Sequence, residues 1–390
     1  MSPPPLALYI HLPWCVRKCP YCDFNSHEQR GPLPETAYVD ALLADLEHDL
    51  QIADEARPRE LTSIFIGGGT PSLFSATAIA RLLGGISRHF PLPGEITLEA
   101  NPGSLEAGRF RDLREAGITR LSLGVQSFND TRLRQLGRIH DGTTALRAAE
   151  AALDAGFEHL NLDLMFGLPN QQEHEALDDI DTALALGASH ISHYQLTLEP
   201  NTVFYRHPPP LPDADSIAGM QARCGDRLRQ AGLAQYEVSA WCRSDQHCRH
   251  NLNYWQYGDY LGLGAGAHGK LSFAGEDRIL RYQRHRVPNT YLQLDPARRV
   301  IRNQAVSRHE RPLEFAMNAL RLNAGVELDM YKTRTGLAAE TLLDPLQPAL
   351  MQGLARLEHN RLRLTPQGLL HLNALLLPLV PEPAPRQARP

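Results

Sequence analysis

The feature that most narrows the fold is a recurrence. Short apolar runs rich in β-branched residues return six times, at 8–12, 63–67, 96–100, 120–126, 159–164 and 191–196, with helical patterns between them. Strands alternating with helices imply a parallel sheet, because each parallel pairing needs a long crossover that a helix supplies. Tyr38, Leu42 and Leu46 form one such helical stripe, and the Ala-rich run 143–155 stops at Gly156. Six βα units predict an α/β fold with an incomplete barrel. Chemistry in such a barrel gathers at the carboxyl ends of the strands. There the chain places Cys15, then Gly67 to Thr70, then Glu99 and Asn101, then Gln126, then Asp163. Any one of these could be a turn residue; five strand ends in succession point to a site.

The predicted architecture is a partial (β/α)6 TIM-like barrel over residues 1–240, followed by a connecting region at 241–305. A Pro-rich break at 207–212 leads to a helix at 216–231, a strand at 235–240, a Cys/His/aromatic stretch and a Gly-rich loop at 262–269. From about residue 311 the pattern changes. Helices at 313–322 and 343–357, an alternating strand at 362–365 and a helix after Pro366 predict a small winged-helix-like domain over 306–380. The Pro- and Arg-rich tail 381–390 is expected to be disordered. A chain of 390 residues suffices for one large and one smaller domain without disulfide help.

Charge and composition exclude some classes. A net charge of −5, from 39 Lys and Arg against 44 Asp and Glu, gives no basic field, so no nucleic-acid partner is expected. No apolar run approaches the ~18 residues of a membrane span, and the opening residues lack a secretion pattern. A cytoplasmic protein is expected. Of the six cysteines, at 15, 19, 22, 224, 242 and 248, three crowd one segment. Such crowding points to metal or redox chemistry rather than a disulfide framework.

Cys15, Cys19 and Cys22 have C-x3-C-x2-C spacing, which sets three thiolates on one loop. Three thiolates can hold a [4Fe–4S] cluster and leave its fourth iron without a protein ligand. Zinc is the alternative, with a fourth ligand from His11 or the more remote His27. Gly67-Gly68-Gly69-Thr70-Pro71 lets a ligand approach the backbone, since no Cβ intervenes. A strand-end Glu99 suits hydroxyl recognition, or an ordinary cap or ion pair.

The cysteine spacing, Tyr21 before the last cysteine and the placement after the first strand resemble the radical S-adenosylmethionine (SAM) superfamily. The resemblance implies a cluster on Cys15, Cys19 and Cys22, with SAM chelated through its amino and carboxylate groups. It further implies that Gly68, Gly69 and Thr70 take the methionine part and Glu99 the ribose. Gln126 and Asp163 add polar contacts, Arg138 pairs with the SAM carboxylate, and Tyr9 contacts SAM. No residue is singled out as catalytic.

The ordered set Tyr-x-His-x-Pro-Trp-Cys, GGGTP, LEANPG, GVQSF, LGRIH, LDLMFGLP and YQLTLEPNT, running from about residue 6 to 375, is similar to the oxygen-independent coproporphyrinogen III dehydrogenase-like family. The decarboxylases of that family carry a fourth cysteine where this chain has Phe24. His250-Asn251-Leu252-Asn253-Tyr254-Trp255 instead matches the HNxxYW signature of its heme-chaperone branch. That branch implies heme as a ligand held by His250 and heme-accepting proteins as partners. Any membrane association would be peripheral, through those acceptors. The alternative is a coproporphyrinogen III decarboxylase of heme synthesis.

Read by themselves, the residues of this segment fit either an imidazole axial ligand with flat faces from Tyr254, Trp255, Tyr257 and Tyr260, or an aromatic loop packed on the barrel. Cys242, His247, Cys248 and His250 could be zinc ligands, although no C-x-x-C pair is present. Cys248 lies two residues from His250 and could touch heme, without the C-x-x-C-H attachment motif. His268, closing the Gly-rich loop, is a secondary heme or substrate candidate.

Overall fold

The computed structural model describes residues 3–52, 59–103 and 108–381, so the tail expected to be disordered lies, but for Pro381, outside the described residues. Strands β1 (Leu6–Leu12), β2 (Leu61–Gly68), β3 (Ile96–Ala100), β4 (Arg120–Gln126), β5 (His159–Phe166) and β6 (His190–Gln195) lie side by side in chain order. All five pairings are parallel. The sequence of β1, LALYIHL, shows why its run was continuous rather than alternating: all but Tyr9 are buried, since helices and neighbouring strands cover both faces. The crossover helices bury one stripe each. Ala76–Ile86 starts where the Ser75 side chain accepts the Ala78 N–H, and it turns Ile79, Leu82, Leu83 and Ile86 inward.

The sheet extends past both edges of this six-stranded core. Beyond β6 runs an antiparallel hairpin, β7 (Ala234–Gln235) and β8 (Ala240–Cys242). On the other side β9 (Asp259–Leu263) joins β1 in parallel, Leu6 beside Asp259 through Ile10 beside Leu263. Antiparallel β10 (His268–Phe273), β11 (Arg278–Arg284) and β12 (Val300–Ala305) follow. Among the described residues the two edges, β12 and β7, do not pair, so the barrel is open.

Three local expectations are corrected. The segment 262–269 is not a loop throughout: its first residues complete β9, and glycine is needed there because a Cβ on Gly262 would sit 1.9 Å from the His268 carbonyl oxygen. The strand expected at 235–240 breaks in the middle, where the Glu237 carboxylate accepts the Ser239 N–H and hydroxyl and folds a turn. The aromatic stretch is a helix, Arg249–Trp255. Its free N-terminal N–H groups at Arg249 and His250 are both accepted, at 2.9 Å, by the carboxylate of Glu95, just ahead of β3.

The C-terminal part packs helices Arg311–Ala319 and Leu328–Thr335 against a sheet ordered β13 (Val326–Glu327), β15 (Arg361–Leu364), β14 (Ala355–Glu358), a winged-helix arrangement. Phe315, Tyr331, Leu342 and Leu362 form its core, joined by Tyr257 and Ile279. The helix expected over 343–357 shrinks to one short helix, Gln347–Met351, with Pro348 in its first turn. Pro345 could not donate inside a continuous helix, and Gly353 at φ +70° turns the chain into β14.

A buried charge cluster fastens the added strands to the core. Arg284 on β11 is fully buried and donates to Asp49 at 2.6 Å and to the Gly262 carbonyl at 2.7 Å, with Asp45 at 3.2 Å. Arg299 reaches Asp45 at 2.9 Å. Both carboxylates belong to the first crossover helix, Glu35–Ile52. Among the described residues no helix is long and apolar enough to cross a membrane.

Candidate functional site

At the carboxyl ends of β2 to β6 lies a cavity of about 450 Å³ into which Cys15, Cys19 and Cys22 all open. The cysteine loop is held by local bonds. Trp14–Cys15 pairs in parallel with His27–Glu28, the Cys22 N–H reaches the Cys19 carbonyl at 3.1 Å, and Lys18 donates to the Phe24 and Ser26 carbonyls. All three thiols are free. Of the two histidines offered for a zinc reading, His11 has both ring nitrogens engaged, with the Tyr9 hydroxyl at 2.9 Å and the Asn25 carbonyl at 3.0 Å. His27 contacts the Asn25 side chain at 3.3 Å. No group of three His, Cys, Asp or Glu among the described residues is arranged around a single ion, either here or at Cys242, His247, Cys248 and His250. Thiolates that bind separate irons of a cubane need not converge on one point.

The glycines opposite are sterically required. A Cβ on Gly69 would lie 2.4 Å from the Trp14 carbonyl oxygen, and one on Gly68, whose φ is +117°, 2.6 Å from the His11 ring. The Glu99 carboxylate accepts the Gly68 N–H at 3.0 Å; burial, with Asp163 nearby, pushes it up to about 7. Burial also raises Asp163, against the hydrogen bonds from Asn161 at 2.9 Å and Ser122 at 3.1 Å. Gln126 ends β4 at φ +70° and accepts from the Tyr194 hydroxyl at 2.9 Å.

Arg138 is not a solvated surface charge. Its Nη2 donates to the Asn101 side chain and the Gly124 carbonyl, both at 2.6 Å, its Nη1 lies 3.6 Å from the Cys19 sulfur, and its buried Nε has no protein partner. Such an orphaned donor on a cavity wall suits a carboxylate ligand. Thr70 is buried just behind the wall, accepting from Asn101 at 2.7 Å.

A second cavity, of about 500 Å³, adjoins the first across Asp23, Phe24, Gly68 and Glu99. Tyr9 faces this one rather than the cysteines. Helix Arg249–Trp255 serves both, with Asn251 and Trp255 on the first and Tyr254 on the second. His250 lines neither. Its Nδ1 meets the Ser63 hydroxyl and its Nε2 the Tyr254 hydroxyl, each at 3.0 Å, the ring stacks on Phe65 at 5.0 Å, and burial lowers its pKa to about 3. Tyr257, one of the four aromatics considered for a flat ligand, packs instead on Phe315 in the C-terminal core at 5.6 Å. The Arg321 guanidinium reaches over from that domain, 4.3 Å above the Trp255 ring and 2.9 Å from Glu237.

Sequence reasoning missed Tyr194, Trp255 as a wall of the cysteine cavity, and Glu237. Tyr194 was findable, since it sits at the end of the sixth predicted strand. Glu237 was not, because only the break in its strand aims it inward.

Residues 9–183 match the radical SAM superfamily and residues 306–371 the HemN C-terminal domain. The heme chaperone HemW of Haemophilus influenzae is 48% identical over 377 residues, covering 96% of this chain and 97% of that protein. HemW of Escherichia coli is 46% identical over 375 residues, covering 96% and 97%. Among solved structures, coproporphyrinogen III oxidase (HemN) from Escherichia coli, a radical SAM enzyme, overlays with a TM-score of 0.79 at 23% identity, across 97% of this chain and 90% of that one. At that identity the likeness speaks for the fold alone. Membership of the radical SAM superfamily implies a [4Fe–4S] cluster and SAM. Motif order, fold and near-full-length similarity agree: the chain belongs to the radical SAM superfamily and, within it, to the family of the heme chaperone HemW.

Proposed function

We propose that this protein is a heme chaperone, binding heme and passing it to acceptor proteins while it carries a [4Fe–4S] cluster and SAM. The observation that carries the reading is that helix Arg249–Trp255, which holds the HNxxYW signature, forms a wall of the cysteine cavity in a chain similar over nearly its whole length to HemW proteins. The cytoplasm is the compartment this reading favours, since reduced thiols suit a cysteine-held cluster. Contact with a membrane would come through membrane-bound acceptors.

A cluster with one open iron, loaded with SAM, supplies one-electron chemistry. The protein's part is to hold and orient. Cys15, Cys19 and Cys22 are the cluster ligands in this reading. Gly68 and Gly69, with Thr70 behind them, let the methionine end of SAM reach the backbone. Arg138 offers its unpartnered Nε to the SAM carboxylate, and Glu99 accepts from the ribose hydroxyls. Gln126 and Asp163 close the polar wall, and Tyr9 holds the His11 ring that lies against Gly68. Heme coordination by His250 would require its bond to Tyr254 or to Ser63 to break.

Glu99 gives a test of the SAM assignment. Glu99→Gln keeps an acceptor for Gly68 but loses the charge-assisted bonds, so SAM affinity should fall about tenfold to a hundredfold at pH near 8. Because burial pushes the carboxyl up to about 7, wild-type affinity should also fall as pH drops through that value, by up to about tenfold per unit, and the variant should lose this dependence. Equilibrium dialysis with SAM across pH measures both; an unchanged affinity removes Glu99 from the site.

The function itself is tested by titrating the anaerobically reconstituted protein with ferric heme, then adding an apo-hemoprotein. Saturable binding followed by transfer is expected. Absence of saturable binding, or carbon dioxide release from coproporphyrinogen III with SAM and a reductant, overturns the reading.

A further inference from the structure

We infer that heme sits in the second cavity, with the imidazole of His268 as its iron ligand, an assignment that rests on the heme-chaperone reading above. Four observations converge on it: shape, ring surfaces, the state of the nearby histidines and charge.

The cavity, about 500 Å³, falls within the ~300–1,000 Å³ of sites that take cofactor-sized ligands. Tyr9, Tyr254 and Tyr260 line it, and Phe24 stands at its rim 58% exposed. Each tyrosine hydroxyl is already satisfied inside the protein. Tyr9 pairs with His11 at 2.9 Å, Tyr254 with His250 at 3.0 Å, and Tyr260 accepts from Arg281 at 2.8 Å. What remains for a ligand is ring surface, which suits a flat macrocycle.

Three histidines are candidates for the iron, and two are committed. His11 and His250 each have both ring nitrogens hydrogen-bonded within the protein. His268 opens β10 at the cavity wall and is exposed, and its ring makes no hydrogen bond to any described residue. Partial burial, then Arg281, Arg286 and Arg302, lowers its pKa, which keeps the ring neutral and a nitrogen lone pair available.

One of these arginines supplies the charge complement. Arg286 lines the cavity, and Arg302 on β12 lies opposite Gln283, which lies opposite His268. Arg281 is occupied by Glu314 at 2.9 Å. Arg302 lies outside the cavity and donates to Gln304 at 2.8 Å, so Arg286 is the arginine placed for a propionate of heme. In this arrangement His250 is a positioning residue, holding Tyr254 in the wall from behind. Heme then lies against SAM, separated from it by Gly68 and Glu99.

The test uses the full chain with its cluster reconstituted, titrated anaerobically with ferric heme and read by absorbance and electron paramagnetic resonance. His268→Ala should bind about tenfold or more weakly and lose the nitrogen-ligated spectrum, and free imidazole should restore that spectrum. His250→Ala should keep the nitrogen-ligated spectrum. Arg286→Ala should weaken heme by about threefold to tenfold without changing the spectrum, and should not weaken heme dimethyl ester, which lacks the propionate charges. Wild-type spectrum and affinity in His268→Ala, or loss of the spectrum in His250→Ala alone, overturns the assignment. If wild type shows no saturable heme binding, the chaperone reading fails first, and that result is distinct from a wild type that binds and a His268→Ala variant that binds identically.

Discussion

Cys19→Ala should empty the protein of iron. After anaerobic reconstitution, iron and acid-labile sulfide should drop from about four each per chain to under about a tenth of that, because two thiolates cannot retain a cubane that needs three. SAM affinity should fall with them, since the open iron is its chelation point and Arg138 loses the sulfur it lies against. Cys15→Ala and Cys22→Ala should behave alike. Cys224→Ala is the control: that thiol is on the buried face of helix Ala214–Gln230, away from the cavity, and its loss should leave the iron content unchanged. Retention of a full cluster by Cys19→Ala would remove it from the ligand set.

The largest effect on stability is expected at Arg284. Arg284→Ala leaves Asp45 and Asp49 buried, with Arg299, tyrosine hydroxyls, the Gly264 N–H and the His48 ring remaining around them and no second guanidinium on Asp49 among the described residues. Removing one partner of a buried ion pair costs about 3–5 kcal/mol, since the remaining charge stays out of water. Denaturant unfolding followed by far-UV circular dichroism should show the main transition shifted by that amount. Arg284→Met, which fills space without answering the charge, should not restore it, whereas Arg284→Met combined with Asp49→Leu should recover part of the loss. Because Arg284 also holds the Gly262 carbonyl, the single variant should loosen the β10–β11 wall of the second cavity as well. A loss below about 1 kcal/mol would show that the cluster is not a clamp.

The six core strands were legible because parallel strands buried on both faces read as unbroken apolar runs, and the cluster loop because its three ligands are close in sequence. What escaped depends on partners far along the chain. Helix Arg249–Trp255 is too short to declare itself, and its N-terminus is satisfied by Glu95, which no local pattern connects to it. Strand β9 hides among glycines that are there for close approach to β10 rather than for a loop. Arg138 reads as a helix-surface charge until the strand ends and the cysteine loop close over it. The prolines at 345 and 348 were visible in the sequence and should have broken the predicted helix; there the apolar spacing was given too much weight.

The pairing of β1 with β9 also orders events at the ribosome. Leu6–Leu12 leaves the exit tunnel ahead of the other five core strands, whereas its neighbour Asp259–Leu263 follows only after all of them. Until then one side of β1 is an unpaired edge, with the cysteine loop attached to its end. Open edges are templates for wrong pairing. Cluster assembly on a nascent chain would therefore take place beside an unfinished sheet, and a fragment ending at residue 240 would keep that edge open permanently.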